Sequence, residues 1–168
     1  MRHRLLEFDI QATARLKVAE NPKFLRILAI ILAHSGDSWF WLIALALLWW
    51  LGSDFWRIRA QVLALGVILT AVLVLLIKFT VRRSRPEGDW GTIYRQTDPH
   101  SFPSGHAARA TMLAVLAFAL GPPWFGVVML LWAPLVSLAR VSMGVHYLSD
   151  VLAGMAFGIV MGFAVSRF

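Results

Sequence analysis

Two histidines and one aspartate in the second half of the chain have the types and spacing that nucleophilic chemistry needs. His146 and Asp150 stand four residues apart in "HYLSD", a spacing that puts both side chains on one face if the segment is helical. A carboxylate on one ring nitrogen fixes the tautomer and leaves the other nitrogen free to attack. His146 is therefore the candidate nucleophile and Asp150 its orienting partner. His106 precedes another apolar segment and can protonate a leaving oxygen.

Three cationic residues accompany this group and indicate that the substrate is an anion. Lys78 ends an apolar segment, Arg85 follows seven residues later in "KFTVRRSRP", and Arg140 precedes "HYLSD". Ionisable groups in apolar segments persist mainly where they face a polar cavity or one another. Arg can bind phosphate through two parallel hydrogen bonds, while Lys acts as a point charge. A phosphate group is the expected occupant of a site that these residues share.

The stretch "PSGH" adds further anion-binding groups at the start of an apolar segment. Gly105 is expected to open a helix there, and the free N–H groups and dipole of a helix N-terminus favour an anion. Ser104 offers a hydroxyl donor beside them. The stretch therefore predicts a turn that binds phosphate and also presents His106 to it.

In order and spacing, these stretches resemble the three signature motifs of the type 2 phosphatidic acid phosphatase superfamily, which includes integral membrane lipid phosphatases and soluble vanadium haloperoxidases. The matching residues are Lys78 with Arg85 and Pro86, then Pro103, Ser104, Gly105 and His106, then Arg140, His146 and Asp150. The motifs span 78–150. The chain departs from the family pattern at Ala139, where a serine usually precedes the arginine, and this difference bears on local packing or substrate fit.

The resemblance implies metal-independent dephosphorylation through a phosphohistidine on His146, assisted by Asp150 and His106. It implies that the phosphate is held by Lys78, Arg85, Ser104, Gly105 and Arg140. No cofactor and no metal are expected. Two other functions remain open: a phosphotransferase that uses the same intermediate, and a lipid-phosphate-binding protein without catalysis.

Composition places these motifs in a membrane protein. The chain has 168 residues, of which 59% are hydrophobic, and its mean hydropathy is +0.70, far above that of an ordinary soluble domain. About six transmembrane helices are predicted, at 22–34, 37–56, 60–81, 105–120, 123–141 and 146–166. The first is short, and it either crosses or forms a shallow hairpin with the second. An interfacial amphipathic helix is predicted over 1–21. Together with the transmembrane helices it is expected to form one all-α domain over 1–168.

The distribution of charge indicates the partners and the orientation. The net charge of +7 is divided among the N-terminus, a short turn and the polar loop over 82–104. It leaves no basic face for nucleic acid and instead fits headgroups and an anionic lipid substrate. Nine Lys or Arg fall on the N-terminal side and seven on the polar-loop side. This slight excess predicts that the N-terminus lies inside and the polar loop, with the active site, outside. A bacterial inner membrane is the expected location. The absence of cysteine excludes disulfides and thiolate chemistry.

Other polar residues and a glycine pattern receive plainer interpretations. Asp37 and Asp54 are interpreted as turn residues, and Arg83, like its neighbour Arg82, as a headgroup ligand. Arg109 could reach a second phosphate or close a cavity. Glycines recur every four residues in the last span, at Gly154, Gly158 and Gly162, a pattern that favours close helix packing. Prenyl diphosphate or a glycerophospholipid phosphate is the favoured substrate class, and the oligomeric state stays open.

Overall fold

Seven helices form the regular structure of the protein in the computed structural model, which describes residues 2–17, 23–87 and 98–168. They are α1 (Arg2–Leu16), α2 (Lys23–His34), α3 (Ser38–Leu51), α4 (Asp54–Val81), α5 (Gly105–Leu120), α6 (Pro123–Ser142) and α7 (Leu148–Val165). The predicted all-helical class is confirmed, and a helix forms within the predicted N-terminal segment. The predicted break at Asn21–Pro22 and the middle of the polar loop, 88–97, lie outside the described residues.

The predicted number of six spans is not confirmed. Within the described residues, α4, α6 and α7 are long and apolar enough to cross a bilayer, and α2 and α3 together form a fourth candidate, bent by 58° at the break between them. Helix α5 has 16 residues, about 24 Å, which is shorter than the roughly 30 Å of a hydrocarbon core. Hydropathy measures how apolar a segment is, and α5 is apolar because other helices surround it.

The outer faces of the long helices carry the apolar side chains that a bilayer requires. Leu76 of α4, Leu131 of α6 and Val160 of α7 are 60%, 66% and 64% exposed. Exposure on this scale would be unfavourable in water but is favourable in lipid. The protein is therefore an integral membrane protein, as its composition predicts.

Helix α5 is the centre of the bundle and makes its most extensive contacts with α7 and α6. Its small residues Ala107, Ala108, Ala110, Ala114 and Ala117 are all buried. The glycines of α7 face them, because a Cβ on Gly158 would collide with the Ala108 carbonyl and a Cβ on Gly154 would lie 2.5 Å from the Ser104 carbonyl oxygen. The prediction of close packing at these glycines is confirmed. Backbone thus meets backbone between the two helices that carry His106 and Asp150.

The segment that follows α4 turns back toward the bundle. Arg82 adopts a left-handed conformation with φ 52° and caps α4 through its backbone N–H. Ser84 then pairs with His100 in an isolated antiparallel bridge, and the Ser101 N–H donates to the Arg83 carbonyl over 2.8 Å. These contacts hold both ends of the polar loop against each other, so that Arg85 points into the bundle.

Replacing Gly158 by Ala should lower the melting temperature of the purified protein in detergent. Alanine raises helix propensity, but its methyl group would meet the Ala108 backbone, and overpacking of this kind costs about 1–3 kcal/mol. Ala156→Leu on the exposed face of the same helix is the matched control and should leave the melting temperature unchanged. A Gly158→Ala protein as stable as the wild type would show that the two helices can separate without loss.

Candidate active site

Lys78, in the last turn of α4, is buried with 3% of its surface exposed. Its ammonium donates to the carboxylate of Asp98 and, over 3.0 Å, to the carbonyl oxygen of His100. Both acceptors come from the far end of the polar loop. The lysine therefore joins α4 to the segment that leads into α5, and it does so where the phosphate site is predicted.

Arg85 is 2% exposed and links the polar loop to the turn between α6 and α7. Its Nη2 donates to Asp98 Oδ2 at 2.8 Å, so that one carboxylate bridges Lys78 and Arg85. Its Nη1 donates to the Val145 carbonyl oxygen at 2.8 Å and lies 3.1 Å from His146 Nε2. Because a guanidinium has only donors, Nε2 of His146 accepts and carries the lone pair.

His146 is 1% exposed and lies in the turn before α7. Burial, followed by the positive charges of Arg140 and Arg85, holds the pKa of His146 well below its ordinary value. Its imidazole is therefore neutral at physiological pH. A neutral ring with its lone pair on Nε2, beside buried cations, is suited to attack a bound anion.

Asp150 lies on the opposite side of the His146 ring from Arg85. The sequence interpretation put both residues of this pair on one helix. In the structure α7 begins at Leu148, so His146 precedes the helix. Asp150 Oδ2 is 3.7 Å from His146 Nδ1, accepts from the Tyr147 N–H over 2.9 Å, and Oδ1 accepts from Arg83 over 2.7 Å. The carboxylate therefore caps α7 and still faces Nδ1, the nitrogen that carries the proton.

The "PSGH" turn meets α7 directly. The Ser104 N–H donates to the Asp150 carbonyl oxygen at 2.9 Å, and the Ser104 hydroxyl accepts from the Ala107 N–H at 3.5 Å. Ser104 is thus the N-cap of α5, and the hydroxyl proton stays available for an acceptor. Gly105 is the first residue of α5, as predicted. Its missing Cβ would touch only Val74, at 3.4 Å.

Arg140 lies in the last turn of α6 and is the largest fully buried side chain of the described residues. Its charge acts on both His146 and His106. All eight predicted site residues therefore lie on one side of the bundle. They come from α4 and the loop after it, the N-terminal end of α5, the last turn of α6, and the start of α7 with the turn before it.

A cavity of about 490 Å³ opens beside three of these residues, Lys78, Gly105 and His106. Lys78, Asp98, Gly105, His106 and Arg109 line its polar part. Its apolar part is lined by Trp39, Ala71, Val74 and Leu75. The cavity is therefore lined by both charged and apolar side chains.

Three carboxylates that touch the site were not identified from the sequence. Asp98 bridges two cations. Asp37, interpreted as a turn residue, receives a hydrogen bond from His106 Nε2 at 2.7 Å. Asp9 of α1 pairs with Arg83 at 2.7 Å, and Arg83 bonds Asp9 and Asp150 instead of lying free for a headgroup. Each contact joins residues far apart in sequence, and local spacing carries no signal for such pairs.

Comparison with known proteins places the chain among membrane phosphatases. A sequence model described as the PAP2 superfamily matches residues 59–168, which include every predicted site residue. A decaprenylphosphoryl-5-phosphoribose phosphatase of Mycobacterium tuberculosis is 34% identical over 133 residues, covering 78% of this chain and 73% of the relative. A lipid A 1-phosphatase of Rhizobium etli is 32% identical, covering 92% of this chain and 74% of the relative.

The fold is also similar to a solved structure. The crystal structure of a transmembrane PAP2-type phosphatidylglycerolphosphate phosphatase from Bacillus subtilis matches with a TM-score of 0.79. The identity is 22%, and the match covers 98% of this chain and 86% of that one. At this identity the likeness establishes the arrangement of the helices.

Replacing Asp98 by Asn should strengthen the binding of inorganic phosphate about tenfold, or roughly 1.4 kcal/mol. The carboxylate occupies donors of Lys78 and Arg85 and repels an incoming anion, and a neutral amide does neither to the same extent. Isothermal titration calorimetry in detergent measures the effect. Exposed Glu87 in the same loop is the control, and Glu87→Gln should bind phosphate as the wild type does. Weaker binding by Asp98→Asn would mean that the carboxylate mainly orients the cations.

The attachment of α1 to the site should depend on pH through Asp9. Burial acts to raise the pKa of this carboxyl, but hydrogen bonds from Ser149 and Arg83 outweigh it, so its pKa is below the ordinary value. The resulting stability is present above the ordinary pKa of about 3.9 and is lost as pH falls through the depressed pKa of the folded protein.

Asp9→Asn should therefore lower the melting temperature at pH 7, and the difference from the wild type should shrink as pH falls below about 4. Thermal unfolding in detergent between pH 7 and pH 3 measures it. Glu7→Gln, one exposed carboxylate on the same helix, should show no such pattern. An equal difference at both ends of the range would contradict the assignment of this charge.

Proposed function

The chain belongs to the PAP2 superfamily, and we propose that it removes phosphate from a lipid headgroup through a phosphohistidine on His146. The observation that carries this proposal is the hydrogen bonding and orientation of the His146 imidazole. Nε2 accepts from Arg85 at 3.1 Å while Asp150 stands 3.7 Å from Nδ1. The nitrogen that would attack therefore faces the buried cations, and the carboxylate stands where it can stabilise the developing imidazolium.

The class of activity follows from the family and its members. The relatives described above are phosphatases of a decaprenyl lipid and of lipid A. The prediction of a membrane lipid phosphate phosphatase is confirmed at this level. A protein without catalysis would be expected to lack a motif residue, whereas all eight are present in this chain.

The first chemical step forms a bond between His146 Nε2 and phosphorus and breaks the bond from phosphorus to the leaving oxygen. His106, in its imidazolium form, gives a proton to that oxygen, so the alcohol or lipid monophosphate departs with the leaving oxygen protonated. Lys78, Arg85 and Arg140 neutralise the equatorial oxygens, whose charge is greatest in the transition state.

In the second step water attacks phosphorus and the bond to Nε2 breaks. His106, now unprotonated, takes a proton from the water, and inorganic phosphate leaves. His146 returns to its neutral form. The residues described here supply the nucleophile, the acid and base, and the electrostatic stabilisation for both steps.

A prenyl diphosphate or a glycerophospholipid phosphate is the proposed substrate class. The cavity supports this choice, because its lining combines Lys78 and His106 with the apolar side chains of Trp39 and Leu75. A headgroup can enter the polar part while its hydrocarbon chain remains in the bilayer. A bacterial inner-membrane location with the site outside is part of the proposal. The count of Lys and Arg does not support this orientation, because α1 lies against the polar loop, where Lys17 donates to the Glu87 carbonyl oxygen at 3.0 Å and Asp9 pairs with Arg83 at 2.7 Å.

Purified protein in detergent with EDTA should release inorganic phosphate from at least one of undecaprenyl diphosphate, phosphatidylglycerol phosphate and phosphatidate. His146→Ala should reduce the release by at least about a thousandfold, because it removes the nucleophile. The melting temperature and size-exclusion profile of the variant show whether it is folded.

Substantial turnover by folded His146→Ala would refute the phosphohistidine step. Phosphate that appears on a second lipid instead of in solution would identify a transferase that uses the same intermediate. No release from any of the three lipids by folded wild-type protein would overturn the hydrolase assignment.

A further inference from the structure

We propose that Asp37, in the break between α2 and α3, positions His106 and supports its role as proton donor, so that the site contains a second His–Asp pair. The inference rests on the proposed function, in which His106 serves as acid and base. Asp37 Oδ1 is 2.7 Å from His106 Nε2, and Oδ2 is 3.1 Å from His34 Nδ1. Both oxygens of the carboxylate thus face imidazole rings.

Asp37 does not act as the ordinary cap that its position suggests. It is the N-cap residue of α3, yet its side chain makes no capping hydrogen bond. A capping aspartate accepts from a backbone N–H in the first turn and contributes about 1 kcal/mol. Here that contact is absent, and the carboxylate reaches 69 positions along the chain to α5. A local role in starting the helix therefore does not explain the residue.

Helix α5 holds the break at two adjacent points. Arg109 lies one turn after His106 and donates through Nε to the Gly36 carbonyl oxygen at 2.8 Å, and through Nη2 at 2.5 Å. His106 holds the neighbouring residue, Asp37. Two consecutive residues of the break are thus fixed to the same face of the helix that carries the proposed acid. Arg109 also lines the cavity, in agreement with one of its two sequence interpretations.

The rest of the break is fixed by two tryptophans. Trp41 of α3 donates to the Ser35 carbonyl oxygen at 3.0 Å, and Trp132 of α6 donates to the Ser35 hydroxyl at 2.9 Å. A Cβ on Gly36 would lie 2.8 Å from Val136 and 3.3 Å from the His106 ring. Hydrogen bonds from three helices and close packing therefore leave Asp37 little freedom to move away from His106.

The charge balance around His106 gives the carboxylate a chemical role. Burial of the ring, followed by the positive charges of Arg140 and Arg109, opposes an imidazolium at His106. A carboxylate on Nε2 brings a negative charge against them and accepts the proton on that nitrogen. Nδ1 is then left to exchange a proton with the leaving oxygen and later with water. Asp37 thus pairs with His106 as Asp150 pairs with His146, although Asp37 comes from a separate part of the chain.

The loss of activity in Asp37→Asn should depend on the basicity of the substrate's leaving group. An alkyl lipid phosphate needs a protonated leaving oxygen, whereas p-nitrophenyl phosphate releases a stable anion. General acid catalysis contributes about 10²–10⁴-fold, so kcat/KM for phosphatidate should fall roughly 10- to 100-fold. For p-nitrophenyl phosphate it should fall less than about threefold, because kcat/KM reports the step up to release of the first product.

The matched control is Asp54→Asn. Asp54 is also an aspartate at the start of a helix, but its side chain is 92% exposed and pairs with Arg57 at 3.3 Å. This variant should keep both activities. Equal losses on the two substrates in Asp37→Asn would indicate a purely structural role, and unchanged activity on both would indicate none. Either result would overturn the proposal.

A second measurement does not depend on turnover. In protein labelled with ¹⁵N-histidine, the Nε2 resonance of His106 should move in Asp37→Asn and stay in place in Asp54→Asn. If wild-type protein hydrolyses no lipid, the proposed function fails, while the resonance still decides whether the pair exists. A His106 spectrum that is identical with and without the Asp37 carboxylate would refute the pair itself.

Discussion

The close approach of α5 and α7 is the constraint on which the rest of the structure depends. Gly154 and Gly158 have no side chain, so the backbone of α5 lies directly against α7. At this distance the Ser104 N–H reaches the Asp150 carbonyl oxygen at 2.9 Å. Helices in lipid associate through packing and hydrogen bonds, without the hydrophobic effect that operates in water. Small residues at this interface therefore bring the two halves of the site together.

The second requirement is to keep several positive charges inside an apolar bundle. Lys78, Arg85 and Arg140 are almost fully buried, and charges in such surroundings are costly unless they have partners. Asp98 and backbone carbonyls supply partners to the first two. A phosphate group carries the charge to replace Asp98 there. The same buried cations are suited to hold a multiply charged anion.

The bent pair of helices shows how an irregular backbone serves the site. Non-helical backbone at membrane depth is tolerated where protein or a polar cavity surrounds it. The break at 35–37 meets this condition, because its carbonyls and hydroxyl receive bonds from Arg109, Trp41 and Trp132. The break therefore places the Asp37 carboxylate next to His106, although Asp37 lies outside the three signature motifs. The N-terminal helix contributes in the same way, through Asp9 and Arg83, to the position of Asp150.

The sequence by itself determined that the chain is helical and lies in a membrane, and it selected the eight residues predicted to form a phosphate site. Spacing in the sequence is informative for residues such as His146 and Asp150, because they lie close together along the chain. It is also informative for residues within one helix, because the helix fixes which of them share a face. The glycine repeat of α7 predicted close helix packing for the same reason. Only the tertiary structure decided that Asp98 bridges two cations, that Asp37 faces His106 and that Asp9 holds Arg83. It also decided that α5 is a short central helix and that α2 and α3 bend at their junction. These features depend on contacts between segments that are distant in sequence. Composition and local spacing indicate only how apolar a segment is and which neighbouring residues share a face.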